Sequence, residues 1–302
     1  MTITNHASDG LYPELITLFR AVAEHGPLRK DELIRICTAN SDNTRIRATL
    51  TTWTDLGVFS KQGDDIDLDP RFVRKRGETL EDRTEKLPAV LRELLFNSHH
   101  ALPLWPASGE VTDEGTGRTG DFVRELSWTL AQDIYSFPFD STEDQAVSLE
   151  ARQIISSERF IFKNKSRWSG VGFWARYTGF AAADRGCIDP TSAIRAELGA
   201  LFQGARMLPA GAFLRELSAR LPVLDFGIYR TEVERALKPE VWPRPPEGQL
   251  STSLSFALRR LQLDRVIDLS LPADAGESLT LSGRNFRPWH RFSQVEFLGS
   301  PS

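Results

Sequence analysis

The stretch Ser41-Asp42-Asn43-Thr44-Arg45-Ile46-Arg47-Ala48-Thr49-Leu50-Thr51-Thr52-Trp53-Thr54-Asp55-Leu56 decides how this chain is read. Ile46, Leu50, Trp53 and Leu56 recur at the spacing of one helix face, behind a Ser-Asp-Asn run able to cap it. Turning that stripe inwards points Thr44, Arg47, Ala48 and Thr51 outwards, with Arg45 and Thr52 on the flanks. Short polar side chains let a helix sit deep in a major groove, and arginines reach guanine edges or phosphates.

Upstream, Leu11, Leu15, Leu18, Phe19 and Val22 predict a first helix ending at Gly26-Pro27. Leu28 to Cys37 predicts a second, with Leu33, Ile36 and Cys37 on one face. Downstream, Lys61 to Asp69 places a polar glycine turn before alternating apolar residues, as a hairpin requires. Helix, helix, basic helix and hairpin in that order predict a winged helix-turn-helix over residues 1–76. Asp64, Asp65, Asp67 and Asp69 would repel a phosphate backbone. DNA contact is therefore expected from the third helix and from the Arg71, Arg74, Lys75, Arg76 cluster.

A similar order recurs near the other end. Ala212 to Leu221, Gly227 to Leu237 and Ser251 to Leu261 predict three helices, and strands Arg265 to Leu271 and Glu277 to Leu281 flank a Pro272 to Gly276 turn. The last of these helices turns Leu254, Ala257, Leu258 and Leu261 inwards, leaving Thr252, Ser255, Phe256 and Arg259 outside and Arg260 at the edge. A Pro-rich connection, Pro239 to Gly248, replaces the tight turn expected before it. The closing Phe286 to Phe297 segment reads as an edge strand.

Between the two units, helical patterns run over Leu87 to Phe96, over Gly120 to Ser136, from a cap at Ser141-Thr142-Glu143-Asp144-Gln145, and from Asp189-Pro190-Thr191, which turns Ile194, Leu198, Leu201 and Phe202 inwards. Asn97 to Gly120 is rich in Gly, Ser, Thr and Pro and reads as a long loop and domain boundary. The expected fold is mainly α with small β-hairpins (α+β): tandem winged helix-turn-helix domains at 1–76 and 205–302, joined by a helical middle region at 77–204 with a loop at 97–120.

Composition narrows the function. The 302 residues are 40% hydrophobic and 26% charged, ordinary globular values, and a net charge of −4 means that phosphate contact must come from local patches. No apolar run is long enough to cross a bilayer and the N-terminus lacks signal-peptide character, so a cytoplasmic protein without membrane contact is expected. Cys37 and Cys187 lack partners at ligand spacing and read as buried thiols, and His99-His100 as surface loop histidines. Glu125 and Asp133, two helical turns apart, could hold a metal but read better as a solvated pair. The interleaved basic and aromatic residues from Arg159 to Tyr177 suit either a core or a single-strand groove, and aromatics at helical spacing favour the core. Phosphate-loop, nucleophile-elbow and helical zinc signatures do not occur. No catalytic residue, cofactor or metal is expected, and a metal-dependent nuclease is a minor alternative.

Arg167-Trp168, Phe173-Trp174-Ala175-Arg176-Tyr177, Asp189-Pro190-Thr191, Leu221-Pro222-Val223-Leu224-Asp225 with Tyr229-Arg230, and Leu250-Ser251 together resemble the DpdG family. Its members are components of bacterial gene clusters that put 7-deazaguanine derivatives into DNA and restrict unmodified DNA. The resemblance implies a place in a DNA-modification or phage-defence system and supplies no catalytic residues. The expected function is a non-enzymatic subunit binding double-stranded DNA through Thr44, Arg45, Arg47, Thr51, Arg74, Lys75, Arg76, Arg259 and Arg260, beside other subunits of the complex. The alternatives are a protein–protein scaffold subunit that uses exposed aromatics such as Phe256, and a winged-helix transcription regulator.

Overall fold

The structure, a computed structural model, describes residues 3–4, 12–38, 42–110, 115–137, 139–182, 186–273 and 276–299. Leu11, Ser41 and the turn residues Asp274 and Ala275, on which parts of the readings above fall, lie outside the described residues. The fold is mainly helical with small antiparallel sheets. Among the described residues no helix is long and apolar enough to cross a membrane.

The first unit comprises α1 (Tyr12–His25), β1 (Leu28–Arg29), α2 (Lys30–Cys37), α3 (Thr44–Leu56), β2 (Phe59–Gln62) and β3 (Asp65–Leu68). The hairpin forms where alternation placed it, and β1 adds a third strand to give the order β1-β3-β2. Phe19, Leu33, Leu50, Trp53 and Phe59 fill the space between helices and sheet. Cys37 is half-buried rather than buried, and so is Cys187.

α4 (Leu80–Leu95) starts two turns earlier than its apolar periodicity indicated, because a Thr79/Asp82 capping box opens it before the stripe Leu87, Leu91, Leu94, Leu95 begins. The stretch read as a loop is packed where it is described. α5 (Ser98–Ala101) carries the two histidines, Leu104 and Trp105 are buried, and Trp105 Nε1 donates to the Phe160 carbonyl at 2.6 Å. His99 is exposed and His100 half-buried.

α6 (Gly120–Ala131) stops five residues short of the expected end, and all twelve of its residues are buried. Against it lie α7 (Glu143–Gln153), opened by the Thr142/Gln145 box, and α8 (Arg167–Tyr177). Within the basic-aromatic run Phe160, Phe162, Trp168 and Trp174 are core while Phe173 is exposed, and Trp168 meets Trp128, Phe137, Phe139 and Phe162 edge-on at 5.5 to 6.5 Å between ring centres. Charged groups are buried alongside. Arg167 Nη1 donates to Asp121 Oδ2 at 3.0 Å, and the Thr4 amide and hydroxyl donate to the same oxygen at 2.9 and 2.5 Å. Glu125, one turn on, is fully buried; burial first, then the neighbouring Asp121 charge, push its carboxyl well above the ordinary 4.5, against the pull of Arg167 and Arg124.

The last unit departs from the expected pattern. α9 (Thr191–Phe202), β4 (Met207–Pro209) and α10 (Ala210–Arg220) come first, and α9 packs on both α10 and α12 (Thr252–Leu263). α11 (Ile228–Arg235) is an insertion that packs on α6. The expected hairpin does not form. β5 (Ile267–Ser270) pairs with β8 (Gln294–Phe297), while β6 (Leu279–Ser282) pairs with β7 (Pro288–Phe292). β8 is the centre of the sheet β4-β8-β5 rather than an edge. This sheet has the same first-third-second order as β1-β3-β2, so α9, not α10, is the counterpart of α1.

Because its folded pKa is raised, Glu125 contributes stability that is present below the ordinary value of 4.5 and is lost as pH rises through the raised one. Glu125→Gln is therefore expected to gain stability over the parent as pH increases. Urea unfolding from about pH 5 to about pH 8 measures this, and a constant difference between the two proteins refutes it.

Candidate nucleic-acid interface

The outer face of α3 is built from both ends. At its start Asp42 accepts the Thr44 amide at 2.9 Å. At its close Gly57 adopts φ 92°, a left-handed turn that favours glycine, and returns its amide to Thr54 and Trp53 carbonyls. Ile46, Thr49, Leu50, Trp53 and Leu56 are buried, and the Trp53 ring lies 5.3 Å from Trp174 of α8. Rotation is thereby fixed. Thr44, Arg45, Arg47 and Thr51 face solvent, while Ala48 and Thr52 form a half-buried floor.

Along this face runs a cleft of about 360 Å³ lined by Arg47, Ala48, Thr51, Thr52, Asp55, Leu56 and Arg118. Arg118 was not legible as a site residue, since its surroundings, Thr116-Gly117-Arg118-Thr119-Gly120, carry only turn signals. Yet the segment is bolted down. The Thr119 hydroxyl donates to the Leu95 carbonyl at 2.7 Å, the Thr119 amide to His100 at 3.0 Å, and a Cβ on Gly117 would collide with the Ala101 backbone. Arg118 reaches Asp55 at 2.5 Å.

Every arginine of the face has an acidic neighbour. Arg45 pairs with Glu14, and Arg47 lies 3.9 Å from Asp31 while its Nε donates to Asn43 at 2.9 Å. The Arg47 and Arg118 pairs are exposed and worth about 0–1 kcal/mol, so a phosphate can take the carboxylate's place there at small cost, whereas the Glu14 carboxylate facing Arg45 is mostly buried. Arg74, Lys75 and Arg76 are exposed on the turn before α4, where Glu78 accepts the Lys75 amide.

The third helix of the last unit is different. Thr252 and Ser255, expected outside, are buried: the Thr252 hydroxyl accepts the Ile134 amide at 3.1 Å, and Ser255 Oγ accepts the Ser282 amide at 2.8 Å. Arg259 and Arg260 are half-buried. Arg259 stacks 5.8 Å over Trp289 and donates to Gln262, and Arg260 pairs with buried Asp189 and lies over Phe256. Glu125 lies inside the core and Asp133 at the half-exposed surface, so the two are not a solvated pair. Among the described residues no group of three or more His, Cys, Asp or Glu is placed to hold a metal.

The family described as DpdG-like matches residues 1–275 of the chain. No curated protein and no solved structure matches it.

Two substitutions separate presentation from pairing. Arg118→Ala removes only an exposed ion pair and is expected to change unfolding free energy by less than about 1 kcal/mol. Gly117→Ala forces the loop off the Ala101 backbone and is expected to cost at least about 2 kcal/mol in chemical denaturation. Equal effects would show that the loop is not held as described.

Proposed function

The chain belongs to the DpdG-like family, and on that premise we propose that it is a non-catalytic DNA-binding subunit of a bacterial DNA-modification and restriction system. In this reading residues 12–68 act as a winged helix and α3 is its recognition helix. The observation that carries it is the solvent-facing row Thr44, Arg45, Arg47 and Thr51, beside a cleft whose far wall supplies Arg118. Small residues at Ala48 and Thr52 allow close approach, and the Arg47 and Arg118 guanidiniums can exchange weak surface partners for phosphates or base edges. Arg74, Lys75 and Arg76 add exposed positive charge after the acidic hairpin, suited to backbone contact. Arg259 and Arg260, engaged with Trp289 and Asp189, serve the fold in this reading.

A second reading, a scaffold subunit that recruits other components of the complex, is favoured by Phe226 and Ile228. Both side chains stand in solvent, 62% and 55% exposed, although most aromatics here are buried.

Fluorescence anisotropy with labelled duplex separates the two. Binding at low salt is expected, and Arg47→Ala with Arg118→Ala should weaken it at least about tenfold and flatten the salt dependence by about two ion equivalents. Arg259→Ala should leave the salt slope unchanged. No affinity for modified or unmodified duplex at low salt would remove the DNA reading and leave the scaffold.

A further inference from the structure

A cleft of about 520 Å³ opens where the end of α6 meets α7, the segment before α12 and the turn between β6 and β7. It shares no residue with the α3 cleft. Phe137, Leu149, Trp242 and Phe286 supply its apolar walls. The deeper amides are already committed: Trp128 Nε1 donates to Gln153 Oε1 at 2.8 Å, Gln153 Nε2 to Gln132 Oε1 at 2.9 Å, and Gln132 Nε2 to the Trp128 carbonyl at 3.0 Å. Trp242 Nε1 is fixed on the Ala131 carbonyl at 2.9 Å. These walls are set before any ligand arrives.

The rim is strained. Asn285 (φ 54°, ψ 38°) and Phe286 (φ 55°) are consecutive left-handed residues. Asparagine tolerates that region, but for a bulky phenylalanine it is an outlier costing on the order of 1–3 kcal/mol. Core burial does not offset this cost, because Phe286 stays half-exposed at the cleft edge. Asn285, Ser136 and Asp133 add polar groups to the cleft: the Asn285 amide is exposed, and the Asp133 carboxylate takes the Tyr135 amide and the Ser136 hydroxyl at 3.2 Å each and keeps acceptor capacity. Among the described residues no lysine, arginine or histidine lines the cleft, so its described walls offer a phosphate or carboxylate no counter-charge. A flat apolar face and an edge bearing N–H donors are what the walls and the carboxylate complement.

We propose that this cleft binds a planar, uncharged nitrogen heterocycle of nucleobase size, stacked on Phe286 with its N–H edge towards Asp133. The site goes beyond the duplex-binding reading and does not depend on it.

Adenosine, guanosine, cytidine and uridine, each titrated into the full chain and followed by saturation-transfer NMR and calorimetry, test the proposal. At least one is expected to bind, with its 5′-monophosphate binding no tighter. Phe286→Ala and Asp133→Asn should each weaken it about tenfold or more. Asn285→Gly, which accepts the left-handed backbone, keeps the fold and is expected to weaken binding through loss of the amide alone. Arg47→Ala with Arg118→Ala should leave nucleoside binding intact. The proposal is overturned by absence of saturation transfer to every nucleoside up to its solubility limit, by binding that is unchanged in well-folded Phe286→Ala, or by binding lost with the α3 arginines instead.

Discussion

Everything else in the middle of the molecule is arranged around a helix that is buried on every side yet carries Asp121, Arg124 and Glu125. Several kcal/mol per ion are at stake when charge leaves water, so Asp121 and Arg124 find compensation close by, whereas burial drives Glu125 towards its neutral form. Asp121 is met by Arg167 and Thr4, and Arg124 donates to the Ile161 carbonyl at 2.9 Å and to Leu104, while its guanidinium stacks 4.7 Å over Phe160. Glu150 of α7 accepts the Ile161 and Phe162 amides. Four separate stretches of chain are thereby tied to one helix. Their relative positions follow from charge satisfaction as much as from apolar contact.

The α3 cleft inherits its geometry from the same helix. Arg118 stands two residues before α6, so the hydrogen bonds that anchor Thr119 on Leu95 and His100 also aim Arg118 across α3. On the other side, Trp53 rests on Trp174 of α8, itself packed on α6. The outward face of α3 is therefore set by the central frame as well as by its own unit.

How much was legible depends on how local the determinants are. α1, α3 and the β2-β3 hairpin are specified by spacing within short windows, and the structure reproduces them closely. The two-residue β1 is too short to leave a pattern. In the last unit the partner of Ile267–Ser270 stands beyond an inserted hairpin, and no local signal distinguishes it from the nearer Leu279–Ser282. The outer face of α12 was misjudged for another reason. Thr252 and Ser255 look like part of a solvated face, but small hydroxyls bury readily when they are hydrogen-bonded, as Ser255 is in accepting the Ser282 amide at 2.8 Å. Arg118 escaped because its role arises from distant packing.

The sheet β4-β8-β5 is assembled from its edges inwards, since its central strand is the last of the three in sequence. While the protein is being synthesised, Met207–Pro209 and Ile267–Ser270 must wait with open backbone groups until residues 294–297 leave the ribosome. In the first unit the central strand β3 is likewise the last in sequence, but it follows β2 directly, so only the two-residue β1 waits for it. Vectorial synthesis thus leaves two strands of the second sheet unpaired where the first leaves only one, with edges open to chaperones or to wrong partners.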